Sequence, residues 1–317
     1  MLLELKHLLI DVYSLTLGYF NNSGKRIYWI YLLTSLVLAT YVYFKYKKKQ
    51  KENKTLLQFL FPKENYLGKT AFIDYSFFIF NTFVKLFVIA SFSYYSKLYS
   101  FEFKEWLLEH FGMVTNDISF GTITLIYLVS LLIIGDFSYY ILHLLYHKVP
   151  FLWAFHKVHH SSTALNPITQ YRIHPIELTI NNLRVISILT ISNGFFDYLN
   201  NGYFTPQTYL GVNIIVLLFY SWGSNLRHSH IKLTYFTWLE NLLISPFQHQ
   251  IHHSSQKEFF NKNLGSKLAI WDKLFGTLVK SKEIETLKVG LGEKDKYYKS
   301  FWQNIINPFK SIFNSKY

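Results

Sequence analysis

Two segments, FHKVHHSS at 155–162 and FQHQIHHSS at 247–255, spell the same His-x-x-His-His-Ser-Ser signature 93 residues apart, while their surroundings share little else. On a helix, positions i, i+3 and i+4 fall on one face, so each signature offers three imidazoles together. A third cluster, HLLYH, places His143 and His147 four residues apart on a helical face of their own. Eleven of the thirteen histidines lie between 143 and 253: these eight plus His174, His228 and His230. A lone imidazole is ordinarily a hydrogen-bonded surface or core residue, and that reading suffices for His7 and His110. It fails for the set, because crowded neutral imidazoles have no packing purpose and protonated ones would repel each other. A shared metal resolves both difficulties. Two triplets and a pair exceed the four ligands of a tetrahedral zinc site and suit two metals, with iron, zinc and copper all compatible with imidazole. The chain has no cysteine, which excludes thiolate ligands, disulfides and thiol nucleophiles.

The rest of the chain is lipophilic. Half of its 317 residues are hydrophobic, 20% are aromatic and 16% are charged. Residues 28–44, YWIYLLTSLVLATYVYF, are free of charge, and about twenty such residues at 1.5 Å each cross a hydrocarbon core of roughly 30 Å. Further candidate spans are 73–97, which carries Asp74 and Lys85; 120–142, which runs straight into the first histidine cluster; and a pair at 176–196 and 205–222 that forms a hairpin. The first of that pair holds Asn181, Asn182 and Arg184 and is read as re-entrant. The opening twenty residues contain Glu4, Lys6 and Asp11 and lack a basic leader, so they predict an interfacial amphipathic helix rather than a secretory signal. The net charge of +13 collects in runs beside apolar stretches, as in Lys45, Lys47, Lys48, Lys49 and Lys51, which suits membrane flanks better than a nucleic-acid surface.

These readings predict an all-α, multi-span integral membrane protein in three parts. Residues 1–119 form interfacial and transmembrane helices, 120–280 a catalytic domain, and 281–317 a basic amphipathic tail lying on the membrane surface. With the lysine-rich stretch 45–54 on the cytoplasmic side, every histidine cluster falls on that same face. Asp136, seven residues before His143 and on the same helical face, is expected to accept the outer N–H of a ligating imidazole. Asp272 stands behind a ligand or caps a helix, and Tyr139, Tyr140 and Trp153 read as interfacial aromatics.

The stretch from GDFSYYILHLLYHKVPFLWAFHKVHHSS through NPITQYRIHPIE, RHSHIKL and ISPFQHQIHHSS to NKNLGSKLAIWDKLFGTL resembles the fatty acid hydroxylase/sterol desaturase superfamily over roughly residues 130–280. The resemblance implies a non-haem di-iron centre that uses O2 to hydroxylate or desaturate a lipid such as a fatty acyl chain or sterol, with zinc replacing iron in overexpressed protein. It assigns as ligands His143 and His147 from the first box, His156, His159 and His160 from the second, His249, His252 and His253 from the third, and His228 ahead of the third. His174 and His230 extend the candidate ligand set. This sequence departs from the family pattern at Leu144, where arginine is frequent, and at His230, where asparagine is.

An unactivated C–H bond offers no acidic proton, so acid/base catalysis has nothing to act on and the metal supplies the hard step. Turnover also needs two electrons. The chain shows neither a G-x-G-x-x-G motif nor a haem-binding His-Pro-Gly-Gly, which predicts NAD(P)H-derived electrons delivered by a separate cytochrome b5-like or ferredoxin-like protein. The expected setting is a bacterial inner membrane or the endoplasmic reticulum, without nucleic acid as partner. Two other classes are testable on the same residues. A metal transporter would string ionisable groups along a path at mid-membrane, whereas these histidines gather at span ends. A zinc hydrolase would want a general base as in His-Glu-x-x-His, and HLLYH has no glutamate at that position.

Overall fold

The computed structural model describes residues 13–49, 53–114, 118–205, 213–284 and 286–314. Among them the chain is mostly helical and forms no strand beyond two isolated bridges, Leu243 with Leu268 and Ser254 with Val289. The long helices are α1 (Trp29–Lys48), α2 (Lys69–Val84), α3 (Ala90–Phe111), α4 (Phe120–Lys148), α5 (Pro150–His160) and α6 (Pro175–Leu199), followed by α7 (Ile214–Ser221), α8 (Pro246–His252) and α9 (Phe301–Phe313). A π-helical turn, Lys85–Ile89, joins α2 to α3. Residues 1–12 of the expected interfacial helix and 206–212 of the fifth candidate span lie outside the described residues.

Among the described residues, two helices are long and apolar enough to cross a membrane, Lys69–Val88 and Phe120–Lys148. Only 39% and 22% of their apolar windows are buried, so most of this surface lacks a protein partner among the described residues. Val37, Phe72, Leu125 and Ile134 all point outward, while the interior holds Asp74, Asp136, Arg172, Gln248 and the histidines. A chain that turns leucine outward and histidine inward is arranged for an apolar surrounding, since such exposed surface is costly in water. The charges in the second span find their explanation here. Asp74 is fully buried and pairs with the equally buried Arg172 at 3.2 Å, and it also accepts from Thr169 and Asn166. Removing one partner of such a buried pair costs about 3–5 kcal/mol, so it pins α2 to the segment after the second histidine box.

Local chemistry places the boxes. Ser119 caps the start of α4 by accepting from the Thr122 amide, and α4 runs for 29 residues until Val149–Pro150 stops it. The residue before proline disfavours helix, while proline itself is suited to a first helical turn. The chain therefore breaks after His147 and restarts as α5, turning the second box back against the first. The third box repeats the device. Ser245 and Gln248 form a capping box, Pro246 opens α8, and His249 and His252 follow within two turns. Gly223, at φ 81°, supplies the left-handed step that begins the turn carrying Arg227 and His228. The terminal helix α9 packs on α5, with Phe309 against Phe155, and exposes Trp302 and Phe313 on its far side.

Candidate metal centre

Nine histidines converge in two groups. His143, His147, His156, His160 and His252 form one, and His159, His228, His249 and His253 the other. Within each group the candidate ligand nitrogens lie within 4.8 Å of one another. The two repeated signatures are interleaved. The second box gives its i, i+4 pair, His156 and His160, to the five-membered group and sends His159 across to the four-membered one. The third box gives its pair, His249 and His253, to the four-membered group and sends His252 across. Each His-x-x-His-His therefore serves both groups, which is why the motif occurs twice.

The hydrogen bonds fix which nitrogens face inward. His143 Nδ1 donates to the Leu264 carbonyl at 2.7 Å, and His252 Nδ1 donates to the Lys262 carbonyl at 2.9 Å. His156 Nδ1 donates to the Glu177 carboxylate at 2.9 Å. A neutral imidazole donates from one nitrogen only, so in these three rings Nε2 carries a lone pair. Yet His143 Nε2 and His160 Nε2 each lie 3.2 Å from His156 Nε2, and His147 Nε2 and His252 Nε2 are buried with no hydrogen-bond partner. In the other group His159, His228, His249 and His253 are linked by Nε2–Nε2 distances of 3.2–3.3 Å. His143 and His156 meet acceptor to acceptor, which a cation between them would satisfy. Two nitrogens bound at about 2.1 Å to one ion, roughly 100° apart, would themselves lie about 3.2 Å from each other. The residues fit a transition metal in each group.

Burial keeps the rings neutral. It pushes His159 down to about 3 and holds His156, His160, His228, His249, His252 and His253 well below the usual imidazole value, with neighbouring imidazoles adding to the effect. Lone pairs are thus available at neutral pH without paying for deprotonation.

The remaining candidates sit further out. His174 caps α6, with Nδ1 accepting from the Ile176 amide and Nε2 donating to the Ile305 carbonyl, so both of its nitrogens are engaged outside the groups. His230 donates to the Phe59 carbonyl at 2.5 Å and packs its ring on Phe59. Asp136 receives the backbone amides of Lys267 and Leu268 rather than an imidazole. Asp272 accepts from the amides of Leu264 and Gly265 and from Thr277, and so holds in place the carbonyl that His143 uses. Of the three aromatics read as interfacial, Tyr140 is buried, while Trp153 and Tyr139 are half-buried beside the histidines. Trp153 packs on His147 and His160, Tyr139 lies 5.2 Å from His143, and Tyr140 is fully buried against Phe275. Glu177 is the residue that sequence reasoning passed over. It is three residues after His174 in the first turn of a proline-started helix, a position that aims a carboxylate back at the preceding segment.

A cavity of about 260 Å³ opens onto His156, His159, His228 and His249. Two buried groups of histidines, each able to hold a metal ion, thus sit beside a cavity on a helical scaffold. Residues 128–277 match the model of the fatty acid hydroxylase family, and this segment of the chain belongs to that family. The chain is similar to human alkylglycerol monooxygenase, 28% identical over 192 residues, which is 56% of this chain and 39% of the relative. It is 32% identical to human cholesterol 25-hydroxylase over 46% of this chain and 49% of the relative, and 28% identical to the ornithine lipid hydroxylase of Rhizobium tropici over 56% and 49%. The chain thus spans less than half the length of each of these relatives. No solved structure matches it.

Proposed function

We propose that this protein is a membrane-bound lipid hydroxylase that uses O2 and two iron ions held by the nine clustered histidines. The observation that carries the reading is the pair of interleaved groups, in which the Nε2 atoms of His143, His156 and His252 are left as acceptors by the bonds their Nδ1 atoms donate. The names of the relatives, a monooxygenase and two hydroxylases, favour hydroxylation over desaturation. Bound iron would supply activation of O2 for insertion into an unactivated C–H bond. The chain's own side chains do the rest. His143, His147, His156, His160 and His252 would hold one ion, and His159, His228, His249 and His253 the other, with His174 and His230 outside both sets. Glu177, Leu264 and Lys262 orient the rings through their outer nitrogens. Trp153, Tyr146 and Tyr139 wall the centre with aromatic rings, restricting water. The adjoining cavity receives the portion of the lipid that reacts. Two electrons per turnover come from a separate donor protein.

The outward leucines, isoleucines and phenylalanines support a membrane setting. The deciding experiment supplies purified protein with iron, a reductase system, NAD(P)H, ¹⁸O2 and membrane lipid. A hydroxylase leaves one ¹⁸O in the lipid. Conversion that proceeds without O2, or that leaves the label only in water, overturns the reading.

A further inference from the structure

The cavity beside the histidines is basic. Its walls include Lys25, Arg26, Lys85 and Arg227, together with Asn81 and Gln170, while Glu177, already bonded to His156, is the one carboxylate among the lining residues. Among the described residues its other walls include the rings of Tyr19, Tyr139, Tyr171 and Tyr220 and the aliphatic Ile173 and Leu178. Among the described residues none of the four cations has a carboxylate within 4.0 Å. Instead Lys85 bonds the Tyr19 hydroxyl at 2.7 Å, Lys25 and Lys85 both approach the Tyr19 ring, Arg26 lies over Tyr220, and Arg227 donates to the Ile244 carbonyl. Arg227 is 2% exposed. Four cations against the one carboxyl group of Glu177 leave the described walls with an excess of positive charge, which an entering anion relieves. The same cavity reaches His156, His159, His228 and His249, so a head group held by these cations sets its neighbouring carbons beside the histidines.

We propose that the cavity seats the anionic head group of a lipid, a phosphate or carboxylate gripped by Lys25, Arg26, Lys85 and Arg227, and that the carbon attacked is one of the few adjoining that head. Lysine offers a point charge and arginine a planar fork of donors, a combination suited to either oxyanion. The acyl chain then leaves through the cavity mouth toward the apolar exterior. The point of attack rests on the hydroxylase reading; the head-group site does not.

The test measures binding, so that it stands apart from turnover. Full-length, metal-loaded protein in neutral detergent is titrated with lysophosphatidic acid, with monoacylglycerol of the same acyl chain, and with inorganic phosphate. The acid should bind at least about tenfold more tightly than the neutral lipid. Arg26→Gln and Lys85→Gln, each shown by metal content to be folded, should each erode that preference by about tenfold. A control that replaces the exposed Lys45, Lys48 and Lys49 with glutamine should keep it. Equal affinity for the neutral lipid overturns the proposal, as does a preference lost equally in the control, which would trace it to general surface charge. Inorganic phosphate binding as tightly as the lysolipid overturns the lipid assignment in favour of a free anion. Where turnover is obtained, fragmentation mass spectrometry should find the new hydroxyl within a few carbons of the head group, and a hydroxyl at the far end of the chain would contradict the proposed point of attack.

Discussion

In the five-histidine group, three rings turn their outer nitrogen to a fixed acceptor: His143 to Leu264, His156 to Glu177 and His252 to Lys262. In the four-histidine group, His159 reaches the Arg172 carbonyl only at 3.3 Å, and the outer nitrogens of His249 and His253 are buried with no hydrogen-bond partner among the described residues. The cavity makes the same division from the other side. It touches His159, His228 and His249 of the smaller group and only His156 of the larger. Acceptors behind a ligating imidazole fix its orientation and raise its basicity. If each group holds an ion, one ion is held from behind and closed in, and the other is less braced and faces the cavity.

The largest expected effect comes from breaking the crossing. His252→Ala removes the third box's contribution to the five-membered group, and His159→Ala removes the second box's contribution to the four-membered one. Each should abolish turnover measured as lipid product, and the double variant should be no worse than either single, because residues that act as one unit do not add. Independent, additive losses would show that the two groups work separately. Next, Glu177→Gln keeps the size of the side chain and replaces the carboxyl group behind His156 by an amide. Metal affinity or activity should fall by roughly 10–100-fold, the range for partners of ligating histidines. The loss should be confined to the five-membered group, as read from which ion is released during equilibrium dialysis.

A third test compares the sites directly. Stripping with a chelator should release one ion of each pair ahead of the other, the early one from the less braced group, so Glu177→Gln should narrow the interval between the two phases. Release in a single phase in the wild-type protein would erase the proposed difference. The smallest effect is reserved for His230→Ala. Its ring packs on Phe59 and its Nε2 serves a carbonyl, so both ions should remain bound and activity should stay within a few-fold of wild type, with a loss of roughly 1 kcal/mol in stability for the missing hydrogen bond. Loss of an ion in this variant would return His230 to the ligand set.

Much of the centre was legible in the chain because imidazoles at i, i+3 and i+4 have few other uses. What the spacing does not carry is the crossing of His159 and His252, since two short helices far apart in sequence can meet in several registers. The proline–phenylalanine starts of α5 and α8 set where each box begins, yet only the packed loop 262–268 fixes which carbonyl each ring meets. Asp136 shows the same limit. Its helical face was readable, but its partners are the amides of Lys267 and Leu268, more than 130 residues away. The charges of Asp74 and Lys85 weakened the second span on hydropathy alone. The structure gives each a buried purpose, one in an ion pair with Arg172 and the other in the basic cavity. Trp153 and Tyr139 looked interfacial because aromatic residues favour membrane boundaries, and nothing in their spacing separated that role from packing against histidine.

Nine histidines that hold two metal ions in two unlike sites would give the protein a fixed stoichiometry, which elemental analysis of folded, monodisperse protein reads. Two transition-metal ions per chain are expected in the wild type, and fewer than two in both His159→Ala and His252→Ala. A folded wild-type sample that binds one ion or none after reconstitution with ferrous iron would contradict it.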